Sequence, residues 1–144
     1  MIFEGTYQLN APREEVWAFV NNPDKIGKCL PDLKTLEVES EDRFSAVIRV
    51  GVGLIKADFK FKIEITGKEP LNRVKLKAIG TGSRSSINID LVIELKEISG
   101  GSELHYRSDV KISGMMVSLG QRVIDDTADK TVASIFETIK KQLG

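Results

Sequence analysis

Two side chains here could serve as nucleophile, base or soft metal ligand, and each occurs once: Cys29 and His105. A nucleophilic cysteine needs a base within reach. His105 falls at an outward position of an alternating stretch, because Leu104 and Tyr106 take the opposite face. Cys29 therefore reads as a small buried hydrophobe and His105 as a solvated strand residue. A zinc site takes three or four ligands, which one histidine and one cysteine do not furnish. Carboxylates are plentiful, but Asp58, Glu64, Asp90 and Glu94 alternate with apolar neighbours and so face water. Asp125, Asp126 and Asp129 stand on the polar side of a helical stretch. No inward pair suited to acid–base work emerges, no residue is named as catalytic, and nothing calls for a cofactor. Gly51-Val52-Gly53 and Gly80-Thr81-Gly82-Ser83 imitate phosphate loops. Each leads from strand to strand, whereas a phosphate cradle must open a helix.

What remains is apolar. Phe59, Phe61, Ile63, Ile89, Leu91, Tyr106, Met115, Met116 and Leu119 share one inner face, as a filled core or as the wall of a pocket. Small residues (Gly5, Ala57, Ala78, Gly80, Ser108) interrupt the large ones. That suits a pocket, and it equally suits strand curvature. Methionine adapts to varied guests. Tyr7 and Tyr106 either orient a polar head group by hydroxyl or reach solvent at the rim.

The elements that position these residues follow from periodicity. Residues 2–9 alternate as a strand. Pro12 suits a helix start, and Val16, Trp17, Phe19 and Val20 follow. Trp17 reads as core packing that fixes the short helices on the sheet. Asn22-Pro23-Asp24 caps a second short helix that Pro31 ends. Strands are expected at 34–40, 43–51, 54–67, 73–81, 86–98 and 102–112. The clearest sets Ile55, Ala57, Phe59, Phe61, Ile63 and Ile65 against Lys56, Asp58, Lys60, Lys62 and Glu64. The short turns between them demand antiparallel neighbours. From Gly114 to Gly144 no proline occurs, and Met116, Leu119, Val123, Ala128, Val132, Ile135, Phe136, Ile139 and Leu143 recur at helical spacing. The expectation is one α+β domain over 1–144: a seven-stranded curved antiparallel sheet gripping a long C-terminal helix, with two short helices after the first strand. Gly120 falls inside that helix. It marks close backbone approach, a hinge at a cavity mouth shared with the Gly51–Leu54 turn, or a plain kink after Met115–Leu119.

Composition excludes several classes. The 21 basic and 21 acidic residues cancel, so no overall field favours nucleic acid. The start Met1-Ile2-Phe3-Glu4-Gly5 lacks a signal peptide's basic region and apolar run. No apolar stretch reaches membrane-spanning length. The reading is cytoplasmic, with peripheral membrane contact left open.

Phe3-Glu4-Gly5, Ala11-Pro12-Arg13-Glu14-Glu15-Val16-Trp17, Pro23-Asp24 and Cys29-Leu30-Pro31 occur in this order. Ser113-Gly114 and Leu119-Gly120-Gln121-Arg122 follow near the final helix. In these blocks the chain resembles the CoxG family, that of the carbon monoxide dehydrogenase G subunit, within the START-like, helix-grip (SRPBCC) superfamily. The resemblance implies a cavity between sheet and long helix, of the kind relatives use for lipids, sterols, hormones, polyketides or quinones. It also implies an accessory role beside a molybdenum-containing carbon monoxide dehydrogenase or related hydroxylase. The expected function is non-catalytic binding of a small hydrophobic ligand, quinone- or lipid-like. Tyr7 and the inner-face set from Phe59 to Leu119 form the expected cavity. The alternatives are a polyketide cyclase- or hydrolase-like enzyme, which needs polar residues converging in the cavity, and an interaction protein with a filled core.

Overall fold

A computed structural model describes residues 1–144. The chain runs β1 (Ile2–Leu9), α1 (Arg13–Val20), α2 (Pro23–Gly27), β2 (Leu33–Val38), β3 (Arg43–Val52), β4 (Ile55–Glu69), β5 (Arg73–Gly82), β6 (Ser85–Ile98) and β7 (Gly101–Gly114). A 3-10 helix (Met115–Leu119) and α3 (Gln121–Leu143) complete it. The strands from β2 to β7 form an antiparallel meander and β1 joins β7, giving the order β1-β7-β6-β5-β4-β3-β2. β1 and β2 are thus opposite edges of an open, curved sheet, and α1 and α2 carry the chain between them.

Local chemistry sets these elements. Asn22 caps α2 by accepting from the Asp24 and Lys25 amides at 3.1 and 3.2 Å. Pro23 takes the first helical position, where its missing N–H costs nothing. In β4 the register shifts between Ile65 and Gly67, a bulge that bends this 15-residue strand. Cation–carboxylate pairs such as Arg43–Glu64 and Arg73–Glu94 line the outer face. They are exposed and contribute little to stability, about 0–1 kcal/mol each.

The concave face carries two apolar clusters. The first gathers Leu9, Val16, Phe19, Val20, Cys29, Val74, Ile93, Leu95, Leu104, Tyr106, Phe136 and Ile139, with Trp17 packed against it. The second gathers Ile48, Val52, Phe59, Phe61, Ile87, Val110 and Met116. α3 spans both and is about 35 Å long for its 23 residues.

Two expectations about local structure need correction. Gly120 does not lie within the helix. Its φ of +95° and ψ of 145° break the chain between the 3-10 helix and α3. A Cβ there would meet nothing within 4 Å, so the backbone conformation requires glycine and close approach does not. The break resets the helical phase: Ile124 points inward at 4 % exposure and Val123 outward at 36 %. The turns also shift by a residue or two. The β3–β4 turn is Gly53-Leu54 and the β5–β6 turn is Ser83-Arg84.

Candidate functional site

The second cluster does not fill the space it encloses. A cavity of about 70 Å³ lies between the sheet and the first half of α3. Ile48, Val50 and Val52 of β3, Phe61 of β4, and Ile87 and Ile89 of β6 form its floor. Val110 and Ile112 of β7 and Met116 of the 3-10 helix form one side. Ile124, Thr127, Ala128, Thr131 and Val132 of α3 form the roof. Twelve of these fourteen residues are hydrophobic, so the space is poor for water, which needs several polar partners. The exceptions are Thr127 and Thr131. Their hydroxyls donate back to the Val123 and Thr127 carbonyls at 3.0 and 2.8 Å, so neither proton is free for a guest.

The roof leaves space because Thr127, Ala128 and Thr131, between Ile124 and Val132, are small. Ile124, Thr127, Ala128 and Thr131 face the sheet where the other half of the helix offers Phe136 and Ile139. The helix is anchored at that other end, where Gly144 O accepts from Asn10 N at 2.9 Å. A 70 Å³ void falls below the ~150 Å³ that admits a benzene ring. A larger guest therefore requires the roof or the 3-10 helix to move.

The first cluster is closed by an aromatic stack. Tyr106 lies flat on Phe136, with ring centroids 4.1 Å apart and planes within 4°. Tyr7 stacks on both at 6.3 and 6.2 Å. Gly5, directly across from Tyr106 in the β1–β7 pair, makes this possible, since a Cβ there would sit 2.6 Å from the ring. Gly80 and Phe61 repeat the arrangement between β4 and β5, where a Cβ on Gly80 would collide with the Phe61 ring. Burial pushes the pKa of the Tyr7 hydroxyl up, and the Glu137 and Asp129 carboxylates add to it. Burial likewise raises Tyr106, helped by Tyr7 and Asp129.

The structure distributes the expected site residues unevenly. Phe61, Ile89 and Met116 line the cavity. Phe59, Ile63 and Leu119 pack in the surrounding cluster without bordering the space. Tyr7, Leu91 and Tyr106 belong to the filled cluster, and Met115 is half exposed on the outside. The helix roof and the ends of β3 and β7 line the cavity outside the expected set. Threonines at i and i+4 beside Ile124 and Ala128 were the available signal, hidden because a threonine that bonds its own helix shows an apolar methyl.

Cys29 is buried, donates to Lys25 O at 3.4 Å and has its thiol pKa raised by burial. His105 sits on the outer face against Thr6 Oγ1 at 3.0 Å. No helix is long and apolar enough to cross a membrane.

Comparisons with known proteins agree with this architecture. A conserved protein from Geobacillus kaustophilus is 28% identical, with 99% of this chain and 95% of that one covered and a TM-score of 0.88. A START superfamily protein from Mycobacterium smegmatis is 9% identical over 99% and 96% of the two chains, with a TM-score of 0.73. The Zhui aromatase/cyclase from Streptomyces sp. R1128 is 10% identical over 99% and 93%, with a TM-score of 0.71. At those last identities the likeness is one of fold. Among curated proteins none matches. The family profile of CoxG, the carbon monoxide dehydrogenase G subunit, matches residues 5–144. With its helix-grip fold and a match over nearly its whole length, this chain belongs to the CoxG family.

Proposed function

We propose that the protein binds one small hydrophobic molecule, quinone- or lipid-like, between the sheet and the first half of α3, without transforming it. The observation that carries this reading is the apolar cavity beneath Ala128, flanked by a helix joint at Gly120. Affinity would come from apolar burial, at about 25 cal/mol per Å². Opening the roof would draw on part of that energy, because a guest binds a state the free protein populates only fractionally. The joint at Gly120 and the β3–β4 turn, whose Gly53 lies beside Val123, are the segments that would move. A cyclase-like reading would need polar groups converging in the cavity, and the two threonine hydroxyls there are already engaged. Family membership supports an accessory role beside a molybdenum-containing carbon monoxide dehydrogenase-type enzyme.

Native mass spectrometry of the purified protein, followed by solvent extraction, tests the proposal. A co-purifying apolar compound of one-to-one stoichiometry is the expected result. A bare mass, with no thermal shift across a panel of short-chain quinones and fatty acids, would overturn it.

A further inference from the structure

The cavity beneath α3 has a neighbour. On the β3 side of the helix lies an open cleft of about 310 Å³. Four residues line both spaces: Ile48 and Val50 of β3, and Thr127 and Thr131 of α3. One row of side chains therefore divides the apolar cavity from the open cleft. The lip of the cleft is Pro31-Asp32 on one side and Lys130 and Ser134 of α3 on the other. Backbone geometry fixes the first of these. Asp32 has φ of +52°, and its carbonyl accepts from the Arg49 amide at 3.1 Å. Directly after it the β2–β3 register slips between Leu33 and Thr35, a bulge at the start of the edge strand.

The lip carries one free charge of each sign. Asp32 and Lys130 are exposed, and no ion pair joins either to the other or to a neighbour. Arg49, the other cation on the cleft, is engaged by Asp58 at 3.4 Å. Two further carboxylates of α3 lie elsewhere. Asp126 is exposed and stands two residues before Ala128, about 200° round the helix and so on the side away from the cavity. Asp129 lies toward β1, where it bears on Tyr7 and Tyr106.

From this arrangement we infer that the guest is an amphiphile with an uncharged hydroxyl head, lying across the dividing row with its chain in the cavity and its head between Asp32 and Lys130. The inference rests on the proposed function, that the cavity takes a guest at all. A 70 Å³ space does not hold a whole lipid-like molecule, and the cleft is where the remainder finds room. Only the apolar end of a guest suits the cavity, whose two threonine hydroxyls donate to their own helix. At the lip a carboxylate head would be drawn to Lys130 and repelled by Asp32, and an ammonium head the reverse. A hydroxyl accepts from the Lys130 ammonium and donates to the Asp32 carboxylate, so it uses both.

Isothermal calorimetry of the full chain at neutral pH with 1-octanol, octanoate and octylammonium tests this. Wild type should bind octanol about fivefold more tightly than either ion. Asp32→Asn leaves Lys130 alone at the lip, and asparagine tolerates the positive φ. Octanoate should then gain about threefold and octylammonium should lose. Lys130→Gln should do the opposite. Asp126→Asn removes a carboxylate one turn from Lys130 but outside the cleft, and should leave the order of the three unchanged. A wild-type order led by either ion, an order indifferent to Asp32→Asn and Lys130→Gln, or the same gain with Asp126→Asn would overturn the inference and leave a cavity guest in place. Binding of none of the three would remove the guest itself, and this inference with it.

Discussion

The two ends of the grip use the same strands and the same helix, yet one is filled and the other is hollow. At the filled end, Phe136 of α3 reaches down to lie on Tyr106, and Gly5 clears the space the ring needs. At the hollow end, Phe61 lies across Gly80 in the same way, but α3 answers it with Ala128 and two threonines. The difference arises from the helix side chains and the helix anchoring. One end is tied to the β1–α1 loop through Gly144, and the other joins a 3-10 helix through a glycine in a left-handed conformation. A close-packed region can hold a rigid rod in place, while a region with missing neighbours can give way.

This contrast can be broken or sharpened by substitution. The largest effect is expected from truncating the stack. Phe136→Ala should cost about 4–5 kcal/mol in urea unfolding, and Phe61→Ala about 3, because one side of Phe61 borders empty space and has fewer contacts to lose. Equal costs would mean that the hollow end is packed as tightly as the filled one.

Next comes the pair of glycines beneath the rings. Gly5→Ala should destabilise by about 1–3 kcal/mol, since Tyr106 is held between the sheet and Phe136. Gly80→Ala should cost under about 1 kcal/mol, because Phe61 can yield into the cavity. The reverse order would contradict the assignment of void and core.

Filling the roof is a smaller perturbation. Ala128→Leu should change stability by under about 1 kcal/mol, since added methyl groups enter existing space instead of a filled core. It should also remove binding of any cavity guest. A loss of several kcal/mol, of the kind expected for overpacking, would show that the space is not available.

The shallowest effect is pH dependence at the filled end. Tyr7 and Tyr106 have hydroxyl pKa values raised above 10.0, by burial first, then by Glu137 and Asp129 for Tyr7 and by Tyr7 and Asp129 for Tyr106. A raised folded-state pKa contributes stability that is complete below the unfolded value and is lost as pH climbs through the folded one. Stability should therefore fall above about pH 10, and Tyr106→Phe should flatten that limb. Thermal unfolding across the alkaline range, beside ultraviolet titration of the phenols, reads both.

Much of the architecture was legible in the sequence, and the hollow was not. Alternation through Ile55–Ile65 and Ile87–Leu95 identified strands, and turns too short for a crossover dictated an antiparallel meander. At the start of α3, Met116, Leu119 and Val123 continue a helical stripe through Gly120, so the sequence reads as one helix with a kink after Met115–Leu119 as an alternative, and the backbone angles show the break. Placing the void was harder still. Whether an inward residue meets a neighbour depends on partners far along the chain, as Tyr106 depends on Phe136 and Gly5. Tyr7 and Tyr106 read from the strand pattern as polar handles or as rim residues reaching solvent, and the structure stacks both with Phe136 in the filled end. Thr127 and Thr131 line the cavity although they are polar, because their hydroxyls bond within the helix.

The most direct test follows isoleucine methyl resonances during titration with a short-chain quinone. Ile87, Ile112 and Ile124 border the cavity, and Ile93 and Ile139 sit in the filled end. Saturable shifts of the first three, with the last two unmoved, are the predicted result. Shifts centred on Ile93 and Ile139, or none in any methyl across the quinone and fatty-acid panel, would contradict a guest site beneath the first half of α3.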